Sequence, residues 1–158
     1  MIRILSFCVL TCACLQPLSA TADDNELISR IVKYFPGKWD IKSDDGNPLG
    51  KVDWSTVSGG MSIAGPGSFD DMPTYHLAGW EPSKKVWLHT MHRKDGQHLR
   101  LELNKFEGDT YFGTSRLVES DGSVIESKWE NKVIDKDHFA ITTHAGGETT
   151  VTHWYRKK

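Results

Sequence analysis

The chain has 158 residues, enough for one domain, with 19 Lys and Arg against 21 Asp and Glu. No basic excess exists to neutralise phosphates, which argues against nucleic acid as a partner. All three cysteines fall at positions 8, 12 and 14, so the remainder of the chain offers no disulfide, thiol nucleophile or zinc–sulfur site.

Residues 1–22 have the pattern of a secretory signal peptide. Arg3 stands near the start, an apolar run extends from Ile4 to about Leu15, and Ala20-Thr21-Ala22 supplies small residues for cleavage. The run is too short for a stable membrane span. The expected product is a domain over 23–158, exported to the periplasm or secreted, with no integral span. The leader carries one base, Arg3, and no acid, so that domain keeps 18 basic and 21 acidic side chains, a net of −3.

Asp23-Asp24-Asn25-Glu26 followed by LISRIVKYF predicts a capped helix with Leu27, Ile28, Ile31, Val32 and Phe35 on one face. Pro36 ends it and Gly37 turns the chain. Short strand patterns then follow one another to the C-terminus, separated by turn signals such as Asp95-Gly96 and Asp121-Gly122. About ten strands are expected, with no helical pattern between them and therefore no parallel crossovers. A consecutive antiparallel sheet of that length is relieved of its edges by closing on itself. The predicted fold is all-β, an antiparallel up-and-down barrel with a short N-terminal helix over one end, a two-sheet sandwich being the alternative.

Alternation assigns faces. Trp39 and Ile41 are expected inside, as are Val52 and Trp54, Ile125, Trp129 and Val133, and Phe139 and Ile141. Across Asp95-Gly96, a loop of even length predicts Val86, Leu88, Thr90 and His92 inside with Leu99, Leu101 and Leu103. Trp87, His89 and Met91 would then lie outside with His98, Arg100 and Glu102.

A helix running into Gly37-Lys38-Trp39, with His153-Trp154-Tyr155-Arg156-Lys157-Lys158 at the end, resembles the lipocalin-like (calycin) superfamily, and more closely the secreted bacterial lipocalin-like proteins. The resemblance covers about Asp24 to Lys158. It implies that Gly37 and Trp39 close the barrel base and that Arg156, from the last strand, lies across the Trp39 indole. It also implies a small apolar or amphipathic ligand inside the barrel. Neither the disulfides nor the middle motif common among lipocalins is present, so no specific ligand carries over.

The expected ligand wall is Trp54, Tyr75, Trp129 and Phe139, with His153 as an inward polar anchor. Phe69 and Met72 belong to the Gly- and Pro-rich stretch 64–73, which suits a flap over the mouth. The same aromatics could instead fill the barrel solidly, leaving an outer face around Trp80 or Trp87 to act as an interaction module. Haem-binding relatives of the lipocalins use a late histidine, which makes haem on His153 a further alternative; otherwise no cofactor is expected. His89, His92, His98, His138 and His144 suit surface positions, because His89 and His92 face opposite sides of one strand. No metal site is expected. No Gly-x-Ser-x-Gly elbow or P-loop occurs, and no catalytic set is predicted.

Overall fold

The structure is a computed structural model that describes residues 22–158, with side chains from Asp24 onward. The expected signal segment lies outside the described residues, apart from the helix's first residue, Ala22. One helix, α1 (Ala22–Tyr34), precedes ten strands: β1 (Gly37–Ser43), β2 (Pro48–Val57), β3 (Ser62–Phe69), β4 (Met72–Glu81), β5 (Val86–Arg93), β6 (His98–Glu107), β7 (Thr110–Val118), β8 (Val124–Asp135), β9 (His138–Ala145) and β10 (Glu148–Arg156). Each strand pairs antiparallel with its sequence neighbours, and β10 pairs back with β1. The closed up-and-down barrel is thus as the turn spacing predicts.

The odd-to-even connections all lie at one end, and three of them are built alike. In Asp44-Asp45-Gly46, Lys94-Asp95-Gly96 and Ser120-Asp121-Gly122 the glycine sits at positive φ, between +83° and +93°, and bonds back to the residue before the loop. These are three-residue hairpins of the type that needs a left-handed residue at its third place. The β3–β4 and β9–β10 connections are two-residue turns. Asp70 and Asp71, and Gly146 and Gly147, all have positive φ.

That loop length decides which face β5 shows. With three residues between Arg93 and Gln97, His92 pairs His98, Met91 pairs Leu99, His89 pairs Leu101 and Trp87 pairs Leu103. Facing partners share a side, so Trp87, His89 and Met91 point inward with the three leucines. The expected face of β6 is found; that of β5 is inverted, because the loop is odd, not even.

The stretch 64–73 is not a flap. Gly65-Pro66-Gly67-Ser68-Phe69 continues β3, and only Asp70-Asp71 turns. A Cβ on Gly65 would stand 1.8 Å from the Asp53 carbonyl oxygen, and one on Gly50 would stand 2.1 Å from that of Ser68. The glycines are there because β2 and β3 approach too closely for a side chain.

Further inward assignments are corrected by register and by position. Gly67 faces Val52 and Thr74 faces Gly67, so Thr74, His76 and Ala78 are buried and Tyr75 is exposed at 56%. Small residues on the inner face of β3 and β4 leave room for Trp54. On β10, Arg156 faces Trp39 and Trp154 faces Ile41. Once Arg156 lies over Trp39, Trp154 must point inward and His153 outward. Ile125 shares the parity of Trp129 but stands at the first turn of β8, beside a hairpin loop, and is exposed there.

At the base of the barrel Arg156 lies over Trp39. The Arg156 guanidinium carbon lies 4.1 Å from the Trp39 ring centre, a cation–π contact. Its Nη1 donates to the Pro36 carbonyl at 2.7 Å and its Nη2 to that of Tyr34 at 2.6 Å, satisfying acceptors at the helix C-terminus. Trp39 Nε1 donates to the Phe35 carbonyl at 2.8 Å. A Cβ on Gly37 would meet Arg156 Nη1 at 2.4 Å, so this glycine makes room for the arginine. Ile28, Ile31 and Phe35, from α1 and the residue after it, are buried in the barrel core.

Candidate functional site

The barrel interior is not solid. Between α1 and the hairpin end of the barrel lies a cavity of about 100 Å³, lined from Ile31 and Phe35 on the helix side to Phe69, Met91 and Leu99 near the turns. On a scale where one water needs about 10–15 Å³, this admits several waters or one small organic molecule.

Aromatic rings form its floor. Trp54 and Trp154 stack at 5.5 Å between ring centres, and Trp154 stacks on Phe139 at 5.2 Å. Phe35, just after α1, meets Phe139 edge-on at 5.2 Å. Leu99, Leu101 and Leu103 of β6 line the opposite wall. Gly113 makes space beside them: it faces both Leu103 and Trp129 in the sheet, and a Cβ there would lie 2.2 Å from the Glu102 carbonyl oxygen.

Polar groups enter this wall at two places. On β4 and β5, Thr74 Oγ1 lies 3.0 Å from His76 Nε2, and His76 Nδ1 lies 3.0 Å from His89 Nε2. Burial pushes His76 down to about 3, with the neighbouring His89 adding to the shift, and burial alone pushes His89 down to about 4. Both are therefore neutral at pH 7, and the chain can run in either direction. If Thr74 donates to His76, then His76 donates to His89; if His76 donates to Thr74, then His89 donates to His76. His89 lines the cavity, and its Nδ1 makes no hydrogen bond among the described residues.

The second place is the pair Trp54 and Asn131, which are 6% and 2% exposed and both line the cavity. Trp54 Nε1 and Asn131 Oδ1 are buried without a hydrogen-bond partner among the described residues. Each such group costs about 1–3 kcal/mol in a folded protein.

Of the seven residues expected to hold a ligand, Trp54, Trp129, Phe139 and Phe69 line this cavity. Met72 pairs with Phe69 beside the β3–β4 turn, half-buried and outside the cavity wall. Tyr75 stands on the outer face. So does His153, whose Nε2 lies 3.1 Å from Asp44 Oδ1 and whose Nδ1 lies 3.0 Å from His138 Nε2. The interior axial ligand imagined at His153 is thus on the outside of the barrel. His89, expected at the surface, is inside it.

His76, His89 and Asn131 are the site residues that sequence reasoning missed. Asn131 had a readable signal: it alternates with Trp129 and Val133, both expected inside. His76 and His89 follow only once the loops before and after them are given their true lengths.

No protein-family model matches the chain, and no curated protein does. Among solved structures it is similar to a redesigned β-barrel bound to DFHBI, mFAP1, at 14% identity and TM-score 0.41, over 82% of this chain and 100% of that one. It is also similar to a de novo designed fluorescence-activating β-barrel, at 17% identity and TM-score 0.39, over 80% of this chain and 97% of that one.

Proposed function

We propose that this chain is an exported, lipocalin-like barrel that binds a small apolar or amphipathic molecule in its interior. The observation that carries the reading is the cavity, which combines an aromatic floor with two buried polar atoms that have no partner among the described residues. A packed barrel would gain by closing over the space and by satisfying those atoms. A guest supplies both the missing dispersion contacts and the missing hydrogen bonds. The lipocalin-like assignment is supported by the helix, Gly37, Trp39 and Arg156 acting together at the base. Export is supported by the composition of residues 1–22. Trp54, Trp129, Phe139 and Phe69 remain the wall of the site, joined by His76, His89 and Asn131.

Ligand-dependent thermal unfolding tests the reading. A molecule that binds only the folded barrel raises its melting temperature with concentration. Ala78→Leu is the control variant. Ala78 is buried in the cavity wall, so the larger side chain occupies the guest's place. Loss of the ligand-dependent shift in a variant that still melts cooperatively supports interior binding. An undiminished shift places the guest elsewhere and defeats the proposal.

A further inference from the structure

The cavity wall contains no lysine, arginine, aspartate or glutamate among the described residues. Its titratable members are His76 and His89, which share a hydrogen bond and sit against the Trp54 ring at 5.7 and 5.8 Å. A carboxylate brought inside would find no cation, and burying an unpaired charge is far costlier than burying a neutral polar group.

The approach has the same bias. The helix covers one end, and the five hairpin turns form the other. Those turns carry Asp44, Asp45, Asp70, Asp71, Glu119 and Asp121. Asp95 is there as well, but Arg93 neutralises it through a bidentate ion pair. The remaining base in these turns is Lys94. An anion would therefore meet repulsion at the rim and no compensation within.

Two buried polar atoms of wall residues lack a partner among the described residues, a donor, the Trp54 indole N–H, and an acceptor, Asn131 Oδ1, and the Asn131 amide group carries donors of its own beside that oxygen. His89 Nδ1 adds a third contact that can donate or accept according to the direction of the Thr74–His76–His89 chain. The rings of Trp54, Trp154 and Phe139 make this part of the wall aromatic, which favours an aromatic guest.

We infer that the cavity selects an uncharged, single-ring molecule carrying one hydrogen-bond acceptor and one donor, recognised by Trp54 and Asn131, and that it rejects carboxylate-headed amphiphiles. The inference rests on the interior-binding reading above and narrows it to a charge state and a polar pattern.

Four probes of one size separate the terms: benzamide, toluene, benzoate and benzylammonium. Binding is measured by titration of the intact protein, following the indole N–H resonances of the six tryptophans by NMR. Benzamide is expected to bind at least tenfold tighter than benzoate or benzylammonium and tighter than toluene, moving the Trp54 N–H signal toward the hydrogen-bonded range. Trp54→Phe and Asn131→Leu keep much of the packing and remove one polar group each. Each should weaken benzamide by about tenfold, the factor for one hydrogen bond. Toluene binding should stay nearly unchanged in both, which also reports that the variant cavity is intact. Equal binding of benzamide and either charged probe, or equal loss of benzamide and toluene in both variants, overturns this inference and leaves interior binding standing. Failure of all four probes to bind overturns both.

Discussion

Acidification should weaken this barrel well before its carboxylates titrate, and the cause is the histidine pair inside the barrel, His76 buried and His89 half-buried. His76 and His89 titrate near 6.5 in the unfolded chain, but burial lowers them to about 3 and about 4 in the fold. At pH 7 both are neutral in the fold and mostly neutral in the unfolded chain, and stability is nearly full. As pH falls below 6.5 the unfolded chain takes up protons that the folded one refuses, so stability falls with pH down through the folded values. By about pH 4.5 each histidine has lost nearly two pH units of linkage at about 1.36 kcal/mol each. Together they remove roughly 5 kcal/mol, a large part of a typical domain's stability. The groups facing them are Thr74 and the Trp54 ring, and no carboxylate among the described residues lines the cavity to offset the effect. The assay is urea unfolding at pH 7 and about pH 4.5, for the native sequence and for His76→Gln/His89→Gln. Background titration is common to both proteins, so the native chain should lose about 5 kcal/mol more than the double variant. Equal losses would refute the assignment of these two rings to a desolvated interior.

Other substitutions test the base, the sheet and the outer face. Arg156→Ala removes the stack on Trp39 and the donors to two helix-end carbonyls; an expected loss of about 3 kcal/mol is read from the urea midpoint. Arg156→Lys should recover less than half of it, since an ammonium cannot keep the planar fork. Gly65→Ala forces a Cβ to within 1.8 Å of a backbone oxygen and should cost roughly 3 kcal/mol or prevent folding, visible in the same assay. Tyr75→Ala should change stability by no more than about 0.5 kcal/mol, and neither it nor His153→Ala should alter ligand-dependent melting, because both side chains are on the outer face.

The strand count, the closure and the base of the barrel were legible because they depend on local signals: Asp-Gly turns, Pro36-Gly37 after an amphipathic helix, and Trp39 at the head of an alternating run. The identity of the inward face was less legible, because one residue of loop length reverses it. Lys94-Asp95-Gly96 closes as a three-residue loop, and that single residue carries Trp87, His89 and Met91 from outside to inside. Tyr75 misleads for another reason. An aromatic between polar neighbours suggests a core position, yet the core already holds Trp54 beside Gly65, and small inner residues on β3 and β4 are what make room for it. His153 could have been placed from Arg156, since a side chain across Trp39 fixes the parity of β10. Nothing local in the sequence marks the hydrogen bond between His76 and His89, which are joined only through the β4–β5 register.

The central claim is that the barrel holds a guest among Trp54, His89 and Asn131. Native mass spectrometry of the protein, purified without organic extraction, tests it most directly. The account predicts a reproducible added mass that is absent in Ala78→Leu, or, in a protein stripped during purification, one bound equivalent of benzamide on its addition. A bare mass that no uncharged single-ring probe shifts would contradict it.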